Sequence, residues 1–221
     1  MNNFQKRKLD KIINEGYDFK FSEYISRGVD LFQINIGGFV SYTLIYVIII
    51  LGSNFIPSYG SLIGIILGPP LLVGYYIVAN KLRKEESFEF GDFFLGFQIL
   101  IPLIIANLII TIFTLVGLVA FIIPGIYLAV AYMFTQFFIV FHGCNFWEAM
   151  EASRQLITKN WWYLLGLLFV ITLINLLGVL LIGIGLLVSI PISYCIIYAA
   201  FEDIYGLDVM EDEKSDLSYF R

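Results

Sequence analysis

The only histidine, His142, stands two positions before Cys144 in the run HGC. Imidazole and thiol together are the donors of metal sites and of activated thiol nucleophiles, but a metal centre needs three or four ligands. With a single histidine and one other cysteine, Cys195, the run reads as a polar helix end, and neither a metal nor a cofactor is expected. A multi-histidine iron oxygenase is ruled out by the same ligand count. The carboxylates Glu148 with Glu151, and Glu202 with Asp203, have the proximity of an acid–base dyad. Each pair also borders a long apolar run, where charges normally mark a solvated helix end. No Ser-His-Asp pattern, phosphate-binding glycine loop or metalloprotease helix motif occurs, so no catalytic residue is assigned and no enzymatic activity is expected. What remains is neutral: Asn107, Gln136 and Asn175 lie inside apolar runs, accompanied by Thr111, Thr114, Ser189 and Ser193. Amides there either hydrogen-bond between helices, at about 0.6 kcal/mol each, or line a polar pocket.

The elements that must hold these residues follow from hydropathy. Of 221 residues 59% are hydrophobic and 14% charged, which marks an integral membrane protein rather than a water-soluble domain. No Asp, Glu, Lys or Arg occurs between Asp30 and Lys81, between Asp92 and Glu148, or between Lys159 and Glu202. A membrane-crossing helix takes roughly 20 apolar residues, so each window holds two. Gly, Pro, Ser and Asn in LGSNFIPSYGS, VGLVAFIIPG and LGVLLIGIG divide the windows. The fold class expected is all-α, with six transmembrane helices, at about 36–56, 60–80, 97–118, 121–141, 161–181 and 184–201, paired as three helical hairpins. Residues 1–20 form a basic cytoplasmic segment, 21–206 the membrane domain, and 207–221 an acidic cytoplasmic tail.

All thirteen Lys and Arg fall before the first span, between spans two and three, between spans four and five, or after span six. An even number of spans puts those places on one side, and basic loops stay inside. Both termini are therefore expected in the cytoplasm and the hairpin tips outside. The start of the chain lacks the apolar core and cleavage site of a signal peptide, so the first span is expected to act as the insertion signal. Cys144 and Cys195 are read as free thiols.

Residues 21–35, FSEYISRGVDLFQIN, align without a gap on 146–160, FWEAMEASRQLITKN, pairing Phe21 with Phe146, Glu23 with Glu148, Leu31 with Leu156 and Asn35 with Asn160. The shorter FGDFFLGF repeats the start, with Phe90 and Asp92. The unit is an amphipathic lead-in followed by a hairpin, recurring at about 21–84, 88–142 and 145–206. Such copies call for a pseudo-threefold bundle with short cytoplasmic amphipathic helices, related by parallel rather than inverted symmetry. In the third lead-in Phe146, Ala149, Met150, Ser153, Leu156 and Ile157 recur at helical spacing, with Glu148, Glu151, Arg154 and Lys159 mostly opposite. That helix is expected at the cytoplasmic interface, its apolar side toward lipid or toward the bundle, with Asn160 capping the next span and Trp161 and Trp162 at headgroup level. The returning spans carry Pro69 and Pro70, Pro124, and Pro191, with small residues beside them, and are expected to form the inner ring.

The run from Pro124, Gly125 and Tyr127 through Trp147, Ala149, Ser153, Leu156, Asn160 and Trp162 to Pro191 resembles the bacterial YciC-like inner-membrane family and the membrane domain fused to some glycerophosphodiester phosphodiesterases. The resemblance covers about residues 120–206. It implies a multi-span helical domain in the bacterial inner membrane; the spans leave no room for the phosphodiesterase catalytic domain.

Two functions fit. One is a non-enzymatic integral membrane accessory or scaffold protein whose cytoplasmic amphipathic collar, Glu148, Glu151 and Arg154, meets a membrane or cytoplasmic protein partner. The other is a transporter or channel-like protein for a neutral, lipid-like or amphipathic substrate, bound at Asn107, Gln136 and Asn175. The lipid bilayer is a partner in either case, and nucleic acid in neither.

Overall fold

The computed structural model describes residues 1–53, 55, 56, 60–181 and 183–207, the side chain at 61 excepted. Part of the first hairpin tip and nearly all of the acidic tail lie outside the described residues. Those described form α-helices and one 3₁₀ segment, with no strand among them. In chain order the helices are α1 (Asn3–Glu15), α2 (Phe21–Ile34), α3 (Ile36–Ser53) and α4 (Gly60–Arg83), then the 3₁₀ segment Phe90–Ile99. Beyond it come α5 (Leu100–Ala120), α6 (Ile122–Ala131), α7 (Thr135–His142), α8 (Phe146–Lys159), α9 (Trp161–Leu180) and α10 (Leu186–Ile204). Six stretches are long and apolar enough to cross a membrane: Ile36–Ser53, Leu62–Arg83, Phe90–Ala120, Ile122–His142, Trp161–Leu180 and Leu186–Ile204. They match the spans expected from hydropathy to within a few residues, apart from the 3₁₀ start of the third.

Burial separates the spans into two classes. The first, third and fifth are 22, 11 and 22% buried within the protein, whereas the second, fourth and sixth are 61, 44 and 61% buried. The second, fourth and sixth spans, which carry the prolines, therefore pack innermost. Their inner ends meet through aromatic rings: Tyr76 of α4 lies 4.1 Å from Phe137 of α7, Phe137 lies 4.6 Å from Phe201 of α10, and Tyr75 stacks 4.9 Å from Tyr194 of α10. Lipid tails are as apolar as these rings, so the contacts hold by close packing rather than by removal from water.

The amphipathic segments each pack along one of the more buried spans. The segment α2 runs along α10, the 3₁₀ segment along α4, and α8 along α7 and α6. The outer helices repeat that order, α3 touching α10, α5 touching α4 and α9 touching α6, while each also packs on the helix that follows it, α4, α6 and α10 respectively. Such close seating needs small side chains. A Cβ on Gly28 would come within 2.5 Å of Ile196, and one on Gly96 within 2.3 Å of the Pro70 carbonyl. At the third seat Ser153, which the repeat aligns with Gly28, is wholly buried. Its hydroxyl donates to the Ala131 carbonyl (2.7 Å) and accepts from the Phe134 amide (3.1 Å).

That serine explains where the fourth span breaks. Pro69, Pro70 and Pro191 sit within continuous helices, and Pro124 occupies the first turn of α6, where its missing N–H is no loss. The interruption falls at Tyr132–Phe134, where the Ser153 hydroxyl enters the backbone ladder and takes over two of its groups.

Candidate functional site

Helix α8 buries Ala149, Met150, Ala152, Ser153, Leu156 and Ile157, and its neighbours are α6 and α7. Its apolar side thus faces the bundle. The Asn145 side chain caps it by accepting from the Glu148 amide at 2.9 Å. The collar charges are engaged within the chain. Glu148 pairs with the Met1 ammonium, which holds its carboxyl below the usual range. Arg154 clasps Glu151 with two bonds, Nε to Oε2 at 2.8 Å and an Nη2 contact to Oε1 at 2.6 Å, and Gln155 adds a third at 2.7 Å. Arg154 is the main cause that holds the Glu151 carboxyl low. Trp147 is 58% exposed at the start of this helix.

Asn160 sits at the junction of α8 and α9, but its side chain does not cap α9. Its Nδ2 donates to the Tyr17 carbonyl at 2.8 Å, while its own carbonyl accepts from Leu164. The aligned Asn35 does cap, accepting from the Gly38 amide at 3.0 Å. The Asn160 side chain is instead turned toward the chain that precedes α2, where its Nδ2 ties residues 16–20 to the α8–α9 junction. Residues 1–20 are accordingly built into the bundle rather than lying beside it. Helix α1 starts with an Asn2–Gln5 capping box and buries Gln5 and Leu9. Gln5 donates to the His142 carbonyl (3.1 Å) and accepts from the Tyr205 hydroxyl at its own carbonyl (3.2 Å), and Lys8 lies over the Tyr205 ring at 5.0 Å. Leu9, Ile12 and Ile13 at helical spacing, and the Asn-x-x-Gln start, were the available signals for this helix.

His142 packs among rings, 5.8 Å from Phe138, 6.0 Å from Phe201 and 4.9 Å from Tyr205. Among the described residues no three His, Cys, Asp or Glu side chains gather as metal ligands. Cys144 and Cys195 are both free and buried, and burial pushes the Cys144 thiol up to about 11.

The Glu202–Asp203 pair is held by cations and a phenol rather than left solvated. Asp203 accepts from Lys20 (2.9 Å) and from the Tyr24 hydroxyl (2.8 Å), and Glu202 pairs with Arg27 and with Arg83 at 3.2 Å. Lys81 reaches Asp92 at 2.7 Å, and Asp92 also accepts from the Glu89 amide. The C-terminal ends of α4 and α10 meet through Arg83 and Glu202, and those of α7 and α10 through Phe138 and Tyr205 at 4.8 Å. Lys20, Arg27, Arg83 and Tyr24 are the residues sequence reasoning did not single out; the only hint was a Glu-Asp pair placed directly after an apolar span.

The three amides diverge. Asn175 is fully used: it donates to the Ile171 carbonyl (2.9 Å) and the Ser193 hydroxyl (2.7 Å) and accepts from Ser189 (2.9 Å), joining α9 to α10. The side chains of Asn107 on α5 and Gln136 on α7 have no hydrogen-bond partner among the described residues, although the two helices touch. Thr114 and Thr135 each keep a buried hydroxyl without a partner. Among the described residues no hydrogen bond links the three amides to one another. Compared with known protein families, curated proteins and solved structures, the chain matches none.

Proposed function

We propose that this chain is a non-enzymatic integral membrane scaffold or accessory protein, with both termini and the α8 collar in the cytoplasm of a bacterium and the hairpins in its inner membrane. The observation that carries this reading is the closed centre. Where the three return helices meet, Tyr76, Phe137, Tyr194 and Phe201 fill the space with rings in contact, which is the interior of a rigid support rather than of a path. The one-sided basic residues support the orientation. The cyclic order of contacts, each lead-in seated on the preceding unit's return helix, supports a pseudo-threefold bundle of three hairpins. Kinship with the YciC-like family rests on the motif residues alone. The surface left for a partner on the collar is Trp147 with the Glu151–Arg154 pair.

Lipid-like transport is the second reading, favoured by the unpartnered Asn107 and Gln136 on touching helices. Charge reversal at Glu151 and Arg154 against leucine at Asn107 and Gln136 separates the two. A scaffold loses copurifying partner with the first set and keeps it with the second. Folded amide variants that lose all cellular function beside active collar variants would sink the scaffold.

A further inference from the structure

The cations of α1 differ from the others at this end of the bundle. Lys20 pairs with Asp203, Arg27 and Arg83 with Glu202, Lys81 with Asp92, and Arg154 with Glu151. On α1, Arg7 is exposed and has no ion pair among the described residues, while Lys11 meets only Glu15, at 4.0 Å between two mostly exposed side chains. Gln5, Leu9 and Ile12 face the bundle, and Phe4, Arg7, Lys8 and Lys11 fall together on another side, within roughly 100° of arc. The chain leaves α10 beside that basic stripe. Lys8 Nζ lies over the Tyr205 ring, and a Cβ on Gly206 would stand 3.1 Å from it. Leu207, the last described residue, is buried, and Asp208, Glu211, Asp212, Glu213 and Asp216 follow it in sequence against only Lys214 and Arg221.

We propose that the acidic segment 208–216 of the same chain docks on the basic stripe of α1, its run Glu211, Asp212 and Glu213 meeting Arg7 and Lys11. Three features favour this occupant over a free anion or another protein. Its charge is opposite to that of the stripe. Its tether is already in place, because the chain passes Lys8 at Gly206, and a short tether holds a ligand at an effective concentration of about millimolar. Its length suffices: residues four to six positions past Leu207 reach up to about 14–21 Å at ~3.5 Å per residue, whereas Arg7 and Lys11 lie within one helical turn, about 5.4 Å, of Lys8. Single exposed ion pairs are weak, so the docking draws on several at once and is sensitive to salt. The tail then laps over α1 and holds it against α10 and the His142 carbonyl that Gln5 grips.

The test uses the full chain in lipid nanodiscs, with Cys144 and Cys195 replaced by alanine. Ser215→Cys in the tail is paired either with Phe4→Cys beside the stripe or with Ser87→Cys. Ser87 is exposed on the connector after α4, which Arg83 ties to the end of α10, but it stands among Glu85, Glu86 and Glu89. None of these cysteines alters a charge. Oxidation is expected to form the Phe4→Cys crosslink within one chain and to leave the Ser87→Cys pair largely open. Raising the ionic strength to about 1 M, where the Debye length is about 3 Å, should lower the first yield roughly threefold. Arg7→Glu with Lys11→Glu should lower it as much, and adding Glu211→Lys, Asp212→Lys and Glu213→Lys should restore it, which separates lost docking from lost folding. The proposal is overturned by equal yields at the two positions, by a yield that ignores salt or charge reversal, or by crosslinks formed only between chains. A crosslink present in zwitterionic nanodiscs and absent in anionic ones would assign the stripe to lipid headgroups and overturn it equally.

Discussion

The helix pairs α9–α10 and α5–α6 are built from the same kinds of residue and end differently. In the first, Asn175 faces Ser189 and Ser193, one turn apart on the adjoining helix, and all its polar atoms are used. In the second, the Asn107 side chain finds no hydrogen-bond partner among the described residues, and only its backbone carbonyl is used, by Thr111. Helix α10 is also clamped by α2 through ion pairs and a phenol, Arg27, Lys20 and Tyr24, whereas α6 and α7 are held from outside by neutral groups, the Ser153 and Thr158 hydroxyls of α8 and the Gln5 amide. The contrast teaches that a polar residue in a membrane span has no fixed meaning. Its role is set by the facing residue: α9 and α10 are tied across their interface, while α5 keeps an unpaired amide.

The largest effect should come from the seat that closes α2 on α10. Gly28→Ala pushes a methyl into the Ile196 backbone and must separate the two helices, at about 3 kcal/mol. Gly37→Ala, whose Cβ meets nothing within 4 Å, should be neutral or gain up to about 1 kcal/mol of helix propensity. Unfolding midpoints in detergent read the difference, and equal midpoints would mean the α2 seat contributes nothing. Next comes Ser153→Ala, which leaves the Ala131 carbonyl and Phe134 amide unsatisfied in a buried break and should cost about 2 kcal/mol.

The two asparagines give the sharpest contrast at smaller amplitude. Asn175→Leu strands Ser189 and should cost about 1 kcal/mol, while Asn107→Leu should leave the stability of a single chain within about 0.5 kcal/mol. Equal losses would erase the distinction between the two helix pairs. Smaller still is the acid response of the collar. The Glu151 carboxyl is held below its ordinary 4.5 by Arg154, so its contribution is complete above that pH and is lost as pH falls through the lower folded value. Glu151→Gln should flatten that part of a stability–pH curve taken from pH 6 to 3; an unchanged curve would show that the clasp is silent.

Much of this architecture was legible in the amino-acid order. Three charge-free windows and their glycine and proline punctuation give the spans, because backbone satisfaction in lipid leaves the helix as the only choice for such runs. The side that α8 buries was not legible: a stripe of Ala, Met and Leu suits lipid and protein equally, and only the tertiary contact decides. The alignment pairs Gly28 with Ser153 but hides what each does, since one works by lacking a side chain and the other by inserting a hydroxyl. Helix α1 was hidden by its charges, which made a docked helix look like a basic tail. The role of each amide depended on residues far away in the chain, as Asn160, drawn to the Tyr17 carbonyl, shows most plainly.

The cyclic order of the three units is the central claim, and distances around the rim test it most directly. Ser22, Gly91 and Trp147 occupy the same place in the three lead-ins, one residue before Glu23, Asp92 and Glu148, and all three are exposed. Spin labels placed there two at a time, in a chain without Cys144 and Cys195, give three distances by pulsed electron resonance. A pseudo-threefold bundle predicts three mutually similar distances, the sides of a near-equilateral triangle. One distance close to the sum of the other two would mean hairpins set in a row and would contradict the account.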